Sequence, residues 1–168
     1  MPLPPPSLKG RALRLLAMRE YSVSELERRL KRHEVEPGQL RTVLDELQAK
    51  GFIDNRRVIA SVIHQRAAKL GLARIRQELQ HKGVAGEEAR EALAALQPTE
   101  LARAHQIWRK KFGNAATEGS DGAADAPTDA AHRARQMRFL AARGFTGDTI
   151  RRVVSGAHEM LDDDTPPD

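Results

Sequence analysis

Ser24–Leu47 reads SELERRLKRHEVEPGQLRTVLDEL, and 49 residues further on Ala73–Leu96 reads ARIRQELQHKGVAGEEAREALAAL. Leu26 falls on Ile75, Leu30 on Leu79, Val35 on Val84, Leu44 on Leu93 and Leu47 on Leu96. A third copy follows 61 residues later, placing Leu140, Gly144, Phe145, Ile150, Val153 and Val154 on Leu79, Gly83, Val84, Ala89, Ala92 and Leu93. Identities are few, but the apolar pattern repeats, and a period of this length marks a row of modules that bury their open faces on one another.

The first copy shows how each module is built. Ser22 with Glu25 makes a capping box, and Tyr21 with Leu26 a hydrophobic staple, so a helix starts at residue 22 or 23. Its apolar stripe is Val23, Leu26 and Leu30, with Arg28 and Arg32 opposite. Pro37 suits a first helical position, and Leu40, Val43, Leu44 and Leu47 carry the helical period to a stop at Gly51. In the second copy Gly71 and Gly83 sit where left-handed helix ends are wanted, and Gly86 with Glu87 and Glu88 opens the last helix. Each pair of helices is preceded by a longer one, Leu8–Arg19, Asn55–Leu70 and Thr99–Phe112.

The expected fold is therefore all-α: three tandem three-helix repeats, about nine helices, at residues 8–50, 51–97 and 98–160. A Pro-rich leader (1–7), an acidic insertion (114–131) within the third repeat and an acidic tail (161–168) are expected to be disordered. Composition agrees, since aromatic residues make up only 4% and the chain is rich in Ala, Leu, Arg and Glu, which favour helix. Phe52, Trp108, Phe112, Phe139 and Phe145 are the large rings available, and packing is expected of them. Trp108 shares a face with Leu101 and Phe112, whereas Phe139 offers either a second packing face or a contact.

Several function classes lack their parts. With no cysteine there is no disulfide, thiol nucleophile or thiolate metal site. The six histidines have no metal-ligand spacing, and no phosphate loop or nucleophile elbow occurs, so no cofactor, metal or catalytic residue is expected. No apolar run approaches the roughly 20 residues that span a bilayer, and a soluble, cytoplasmic chain is expected.

Charge carries the functional signal. The net charge is +5, but segments 1–20, 51–70 and 98–113 each carry +3 and 132–154 carries +5, while 114–131 carries −4 and 155–168 carries −5. Arg28, Arg29, Lys31 and Arg32 are ringed by Glu25, Glu27, Glu34 and Glu36, which favours a solvated, salt-bridged face. Arg109, Lys110 and Lys111, and then Arg133, Arg135, Arg138, Arg143, Arg151 and Arg152, have few acidic neighbours and are the better contacts for an anionic partner. The acidic insertion between these two groups is placed to compete for them. Arg66 follows Ile59 and Val62 along an apolar stripe, where a guanidinium needs a partner such as Glu78 or helix-end carbonyls, unless it lines a groove.

The stretch GFIDNRRVIASVIHQRAAKLGLARIRQELQHKGV, Gly51–Val84, resembles the central signature of the RecX family through Gly51, Phe52, Ile53, Asp54, Arg66, Gly71, Arg74, Ile75, Glu78, Leu79, Lys82 and Gly83. ALRLLAMREYSVSELERRL, from Ala12, and FLAARGFTGDTIRRVV, from Phe139, resemble its first and third repeats. Leu70, where a basic residue often precedes Gly71, and the long insertion depart from the pattern. The resemblance implies an elongated, curved monomer that binds the RecA-DNA filament, with or without touching single- or double-stranded DNA. It further implies restraint of filament assembly, ATP hydrolysis, strand exchange and co-protease activity in DNA repair and the SOS response. The residues expected at that contact are Arg66, Lys69, Arg74 and Lys82 from the signature, with Arg109, Lys110, Lys111, Arg135, Arg138, Arg143, Arg151 and Arg152. The competing reading is a helical module that binds nucleic acid directly, as a transcription regulator does. Against it, the third helices QLRTVLDEL and EEAREALAAL are acidic or alanine-rich, unlike a polar helix built for groove entry.

Overall fold

A computed structural model describes residues 6–113 and 129–162, without the side chains of 129 and 157–162. The leader before residue 6, most of the acidic insertion and the tail beyond residue 162 lie outside the described residues. The described chain is helical throughout: α1 (Leu8–Leu16), α2 (Val23–Leu30), α3 (Gln39–Ala49), α4 (Asn55–Arg66), α5 (Leu72–His81), α6 (Glu87–Leu96), α7 (Glu100–Phe112), α8 (Asp129–Ala142) and α9 (Gly147–Asp162). No strand occurs among the described residues.

These helices form two compact units. The first holds the chain up to Ile63 together with Gln77–Ala92; the second holds His64–Arg76 together with the chain from Leu93. In the first, Ser22 accepts from the Glu25 N–H and Glu25 accepts from the Ser22 N–H, the capping box read from the sequence. Tyr21 and Leu26 are buried in one core with Leu8, Ala12, Leu30, Leu40, Leu44, Leu47 and Ile53. In the second, Ala104, Leu140, Phe145, Ile150, Val153 and Val154 make the core, as the third copy of the repeat requires.

Gly83 and Gly144 explain how the repeats join. Both have a positive φ, 75° and 79°, and each ends a helix so that the next residue doubles back: Val84 N–H donates to the Leu79 carbonyl and Phe145 N–H to that of Leu140. Within the first unit, the start of α2 lies on the Gly83 turn. Ser22 Oγ donates to the Lys82 carbonyl, and a Cβ on Gly83 would stand 2.3 Å from Ser24 Oγ. Within the second unit, the start of α5 lies on the Gly144 turn in the same way. Gly71 N–H donates to the Arg143 carbonyl and Ala73 N–H to that of Gly144, and a Cβ on Gly144 would stand 2.6 Å from Arg74 N. Ser22 and Gly71 are themselves 49 residues apart, and Gly83 and Gly144 61, so the contact repeats with the sequence.

Several positions depart from what the sequence suggests. Gly71 does not adopt a left-handed conformation; it is small because an added Cβ would meet the Gly144 carbonyl at 2.3 Å. Pro37 precedes α3 rather than opening it, since Gly38 at φ 87° is the N-cap residue. Val35 is 87% exposed although it aligns with buried Val84 and Phe145. The reason is Glu34, which stands where the other repeats have glycine. It keeps an ordinary extended backbone, and its Oε1 accepts from the Gly38 and Leu40 N–H groups, so the chain swings outward. Phe52, expected in the core, is 49% exposed, and it is Ile53 that is buried. The first helices of the first two repeats stop earlier than their periodicity suggests, at Leu16 and Arg66.

Candidate partner-binding surface

In the second unit, α7 packs on α8 and α9, and α8 on α9. Polar and aromatic anchors fix this arrangement. Trp108 Nε1 donates to Gln136 Oε1 at 3.0 Å, with Gln136 buried, so Trp108 is half-buried with its N–H satisfied rather than fully enclosed. Phe139 meets Phe112 edge-to-face at 5.1 Å, which settles it as a packing residue, and carries the Arg143 guanidinium on its face at 3.6 Å.

Below the surface sits a buried carboxylate. Glu100, 4% exposed, accepts from the Leu72 N–H at 3.0 Å, Thr146 Oγ1 at 3.2 Å and Thr149 Oγ1 at 3.3 Å, tying the start of α5 and the α8–α9 turn to α7. One turn on, Arg103 donates to the carbonyls of Ala67 and Leu70, both at 2.8 Å, and so closes the segment that follows α4. Burial pulls Arg103 below the ordinary arginine value while neighbouring Glu100 opposes the shift. One of its terminal nitrogens is buried with no hydrogen-bond partner. Arg103 is thus a structural arginine, bonded to the carbonyls that follow a helix end. Neither Glu100 nor Arg103 stands out in the sequence, where an acid and a base three apart at a helix start resemble an ordinary solvated pair.

Most of the expected contact residues lie on this unit's surface. Arg109, Lys110 and Lys111 are exposed at the end of α7, Arg135 and Arg138 share an exposed face of α8, and Arg151 and Arg152 are exposed on α9. Arg66, Lys69 and Arg74 are exposed too, and the backbone of Arg74 adjoins the Gly144 turn that follows Arg143. The exposure of Arg66 corrects the expectation that it sits along a buried stripe: Ile59 and Val62 are buried, but α4 ends at Arg66 and its side chain reaches solvent. Arg143 is half-buried by its stacking and also donates to the Phe139 carbonyl.

Lys82 is the member that the structure separates from the rest. It belongs to the first unit, where its ammonium meets Glu25 at 2.9 Å with only 16% of the side chain exposed. Burial pushes the Glu25 carboxyl up, but hydrogen bonds from Lys82, Arg19 and the Ser22 N–H outweigh it and hold it down at about 2.

Counted by unit over the full sequence, the second carries 14 basic and 11 acidic side chains, against 14 and 12 in the first, but nine of those 11 acids fall in 114–131 and 155–168, outside the segments that hold its basic residues. The first unit's cations are largely matched by its own carboxylates. In the second, Arg151 with Asp148, at 3.6 Å, is a loose exposed pair. Basic segments from which most acids are segregated in this way suit a polyanionic partner. Among the described residues no group of three or more acidic or histidine side chains is disposed to hold a metal ion, and no helix is long and apolar enough to cross a membrane.

Known proteins share this architecture. The crystal structure of RecX from Lactobacillus salivarius superposes with a TM-score of 0.72, covering 90% of this chain and 95% of that one at 15% identity. A second crystal structure, of a regulatory protein RecX, gives 0.68 at 21% identity, covering 94% of this chain and 72% of that one. In sequence, the regulatory protein RecX of Leptothrix cholodnii is 48% identical over 95% of both chains, and that of Ralstonia nicotianae 38% identical over 99% of this chain and 98% of its own. Family models for the first, second and third three-helix domains of RecX match residues 9–47, 54–93 and 122–154, and on this agreement the chain belongs to the RecX family.

Proposed function

We propose that this chain is a soluble, cytoplasmic, non-catalytic regulator that binds the RecA-DNA filament as a monomer and restrains its growth, and with it ATP hydrolysis, strand exchange and co-protease activity. Family membership supports the partner. The observation that carries the contact surface is the cluster of exposed cations on the second unit's helices, above all Arg109, Lys110 and Lys111 of α7 and Arg135 and Arg138 of α8. Exposed arginine and lysine meet anionic surfaces through contacts that steer association and weaken with salt. Arg66, Lys69, Arg74, Arg151 and Arg152 extend the same surface, Arg143 contributes the edge of its stacked guanidinium, and Lys82 is assigned a structural role.

The test is binding to RecA filaments preassembled on single-stranded DNA. Arg135→Glu with Arg138→Glu should weaken binding by about tenfold or more, with a shallower salt dependence and an unchanged melting temperature. Binding as tight as that of the unaltered chain would remove α8 from the surface. Equal affinity for bare DNA and for the filament would favour the direct nucleic-acid reading instead.

A further inference from the structure

The first unit holds fourteen basic side chains. Lys9 and Lys50 pair with Glu46, Arg19 and Lys82 with Glu25, Lys31 with Glu34, Arg41 with Asp45, Arg56 with Glu88, Arg57 with Glu20 and Arg90 with Glu87. Arg28 donates to the carbonyls of Ser24 and His81. The four others, Arg11, Arg14, Arg29 and Arg32, likewise have no carboxylate partner among the described residues, although Arg11 donates to the Pro6 carbonyl and Arg32 to His33 Nε2. These same four line one cleft of about 260 Å³ between α1 and the end of α2, together with His33, Leu15, Leu30 and the exposed Met18. The salt-bridged face expected of Arg28, Arg29, Lys31 and Arg32 is therefore divided: Arg28 and Lys31 find partners away from the cleft, whereas Arg29 and Arg32 line it.

From this gathering of arginines we propose that the cleft is an anion site for a compact polyphosphate, either free inorganic polyphosphate or the phosphate end of a nucleoside di- or triphosphate. Charge decides between candidate anions. A lone carboxylate or phosphodiester, with one negative charge, would leave three guanidinium charges uncompensated at close quarters, whereas a di- or triphosphate brings about three to four negative charges in the same space. Size agrees, because the cleft is smaller than the roughly 300–1,000 Å³ of sites that enclose a whole ligand, so it takes a head group and leaves the remainder outside. Arginine forks suit phosphate oxygens in a bidentate geometry. Burial, then the charges of Arg11 and Arg32, hold the His33 imidazole below its ordinary value.

The site belongs to the first unit and the proposed filament contact to the second, and the test distinguishes the two. The full chain is titrated by calorimetry, in low salt without metal ions, with orthophosphate, pyrophosphate, tripolyphosphate and ATP. Tripolyphosphate should bind one per chain, at least about tenfold tighter than orthophosphate. Arg14→Gln and Arg29→Gln should each weaken it by about tenfold, the loss expected for one charged hydrogen-bonding group. Arg41→Gln, paired elsewhere, and Arg135→Gln with Arg138→Gln should leave it unchanged. ATP binding tighter than tripolyphosphate identifies a nucleotide as the source, and equal or weaker binding identifies free polyphosphate. A second reading needs no variant: proton NMR of the unaltered chain should show the His33 ring signals move on adding tripolyphosphate, with a raised pKa. No saturable binding, binding indifferent to Arg14 and Arg29, or saturation only by an acidic peptide or an oligonucleotide would overturn the proposal.

Discussion

Replacing Glu100 by alanine removes one buried carboxylate and three accepted hydrogen bonds at once. The Leu72 N–H is buried at the start of α5 and would be stranded, at about 1–3 kcal/mol. Thr146 and Thr149 suffer less, because their hydroxyl oxygens lie 2.9 Å apart and one can turn to donate to the other once the carboxylate is gone. Loss of the first-turn acid of α7 adds about 0.3–1 kcal/mol through the helix dipole. Together the cost is about 3 kcal/mol, and at roughly 2–4 °C per kcal/mol for a chain of this size the melting temperature should fall by roughly 6–12 °C. Glu100→Gln keeps an acceptor for the Leu72 N–H while the threonine hydroxyls can turn to accept from its amide, so about 1 kcal/mol is expected. Thermal and urea unfolding followed by circular dichroism measure both. If Glu100→Ala stays within about 0.5 kcal/mol of the unaltered chain, or Glu100→Gln is equally damaging, the carboxylate does not organise the second unit.

Gly144→Ala must fit a Cβ at φ 79° within 2.6 Å of the Arg74 backbone nitrogen, and should cost at least about 1–3 kcal/mol of stability by the same unfolding assays. Arg66→Ala should cost less than about 1 kcal/mol, because the side chain is exposed; a larger loss would show that its contacts are structural after all. The Glu25 carboxyl, held at about 2 against an ordinary 4.5, contributes stability that is complete above pH 4.5 and disappears as the pH falls through that range toward 2. Lys82→Met should flatten the acid limb of the stability-against-pH curve, and a limb of unchanged steepness would count against the pair.

The fold was legible in the sequence because its determinants are local and periodic. Leu26, Ile75 and the residues aligned with Leu79 occupy the same buried place in each repeat, and the capping box at Ser22 fixed a helix start to within a residue. Reading failed where one residue changed a turn. Glu34 replaces a glycine and turns out Val35, and nothing in the local pattern separates it from a surface acid. Gly71 was recognisable as a required glycine, but its reason, close approach of a turn 73 residues away, is a tertiary fact. The basic segments were equally visible as charge. Which cations are already neutralised was not, because Lys82 finds Glu25 and Arg56 finds Glu88 only through folding, and that same pairing leaves Arg11, Arg14, Arg29 and Arg32 together.

The central claim, restraint of a recombinase filament, is tested most directly by RecA ATP hydrolysis and strand exchange on single-stranded DNA titrated with this chain. Sub-stoichiometric protein should slow filament growth and strand exchange, with less effect on filaments already formed. Unchanged ATP hydrolysis and strand exchange at several-fold excess would contradict it.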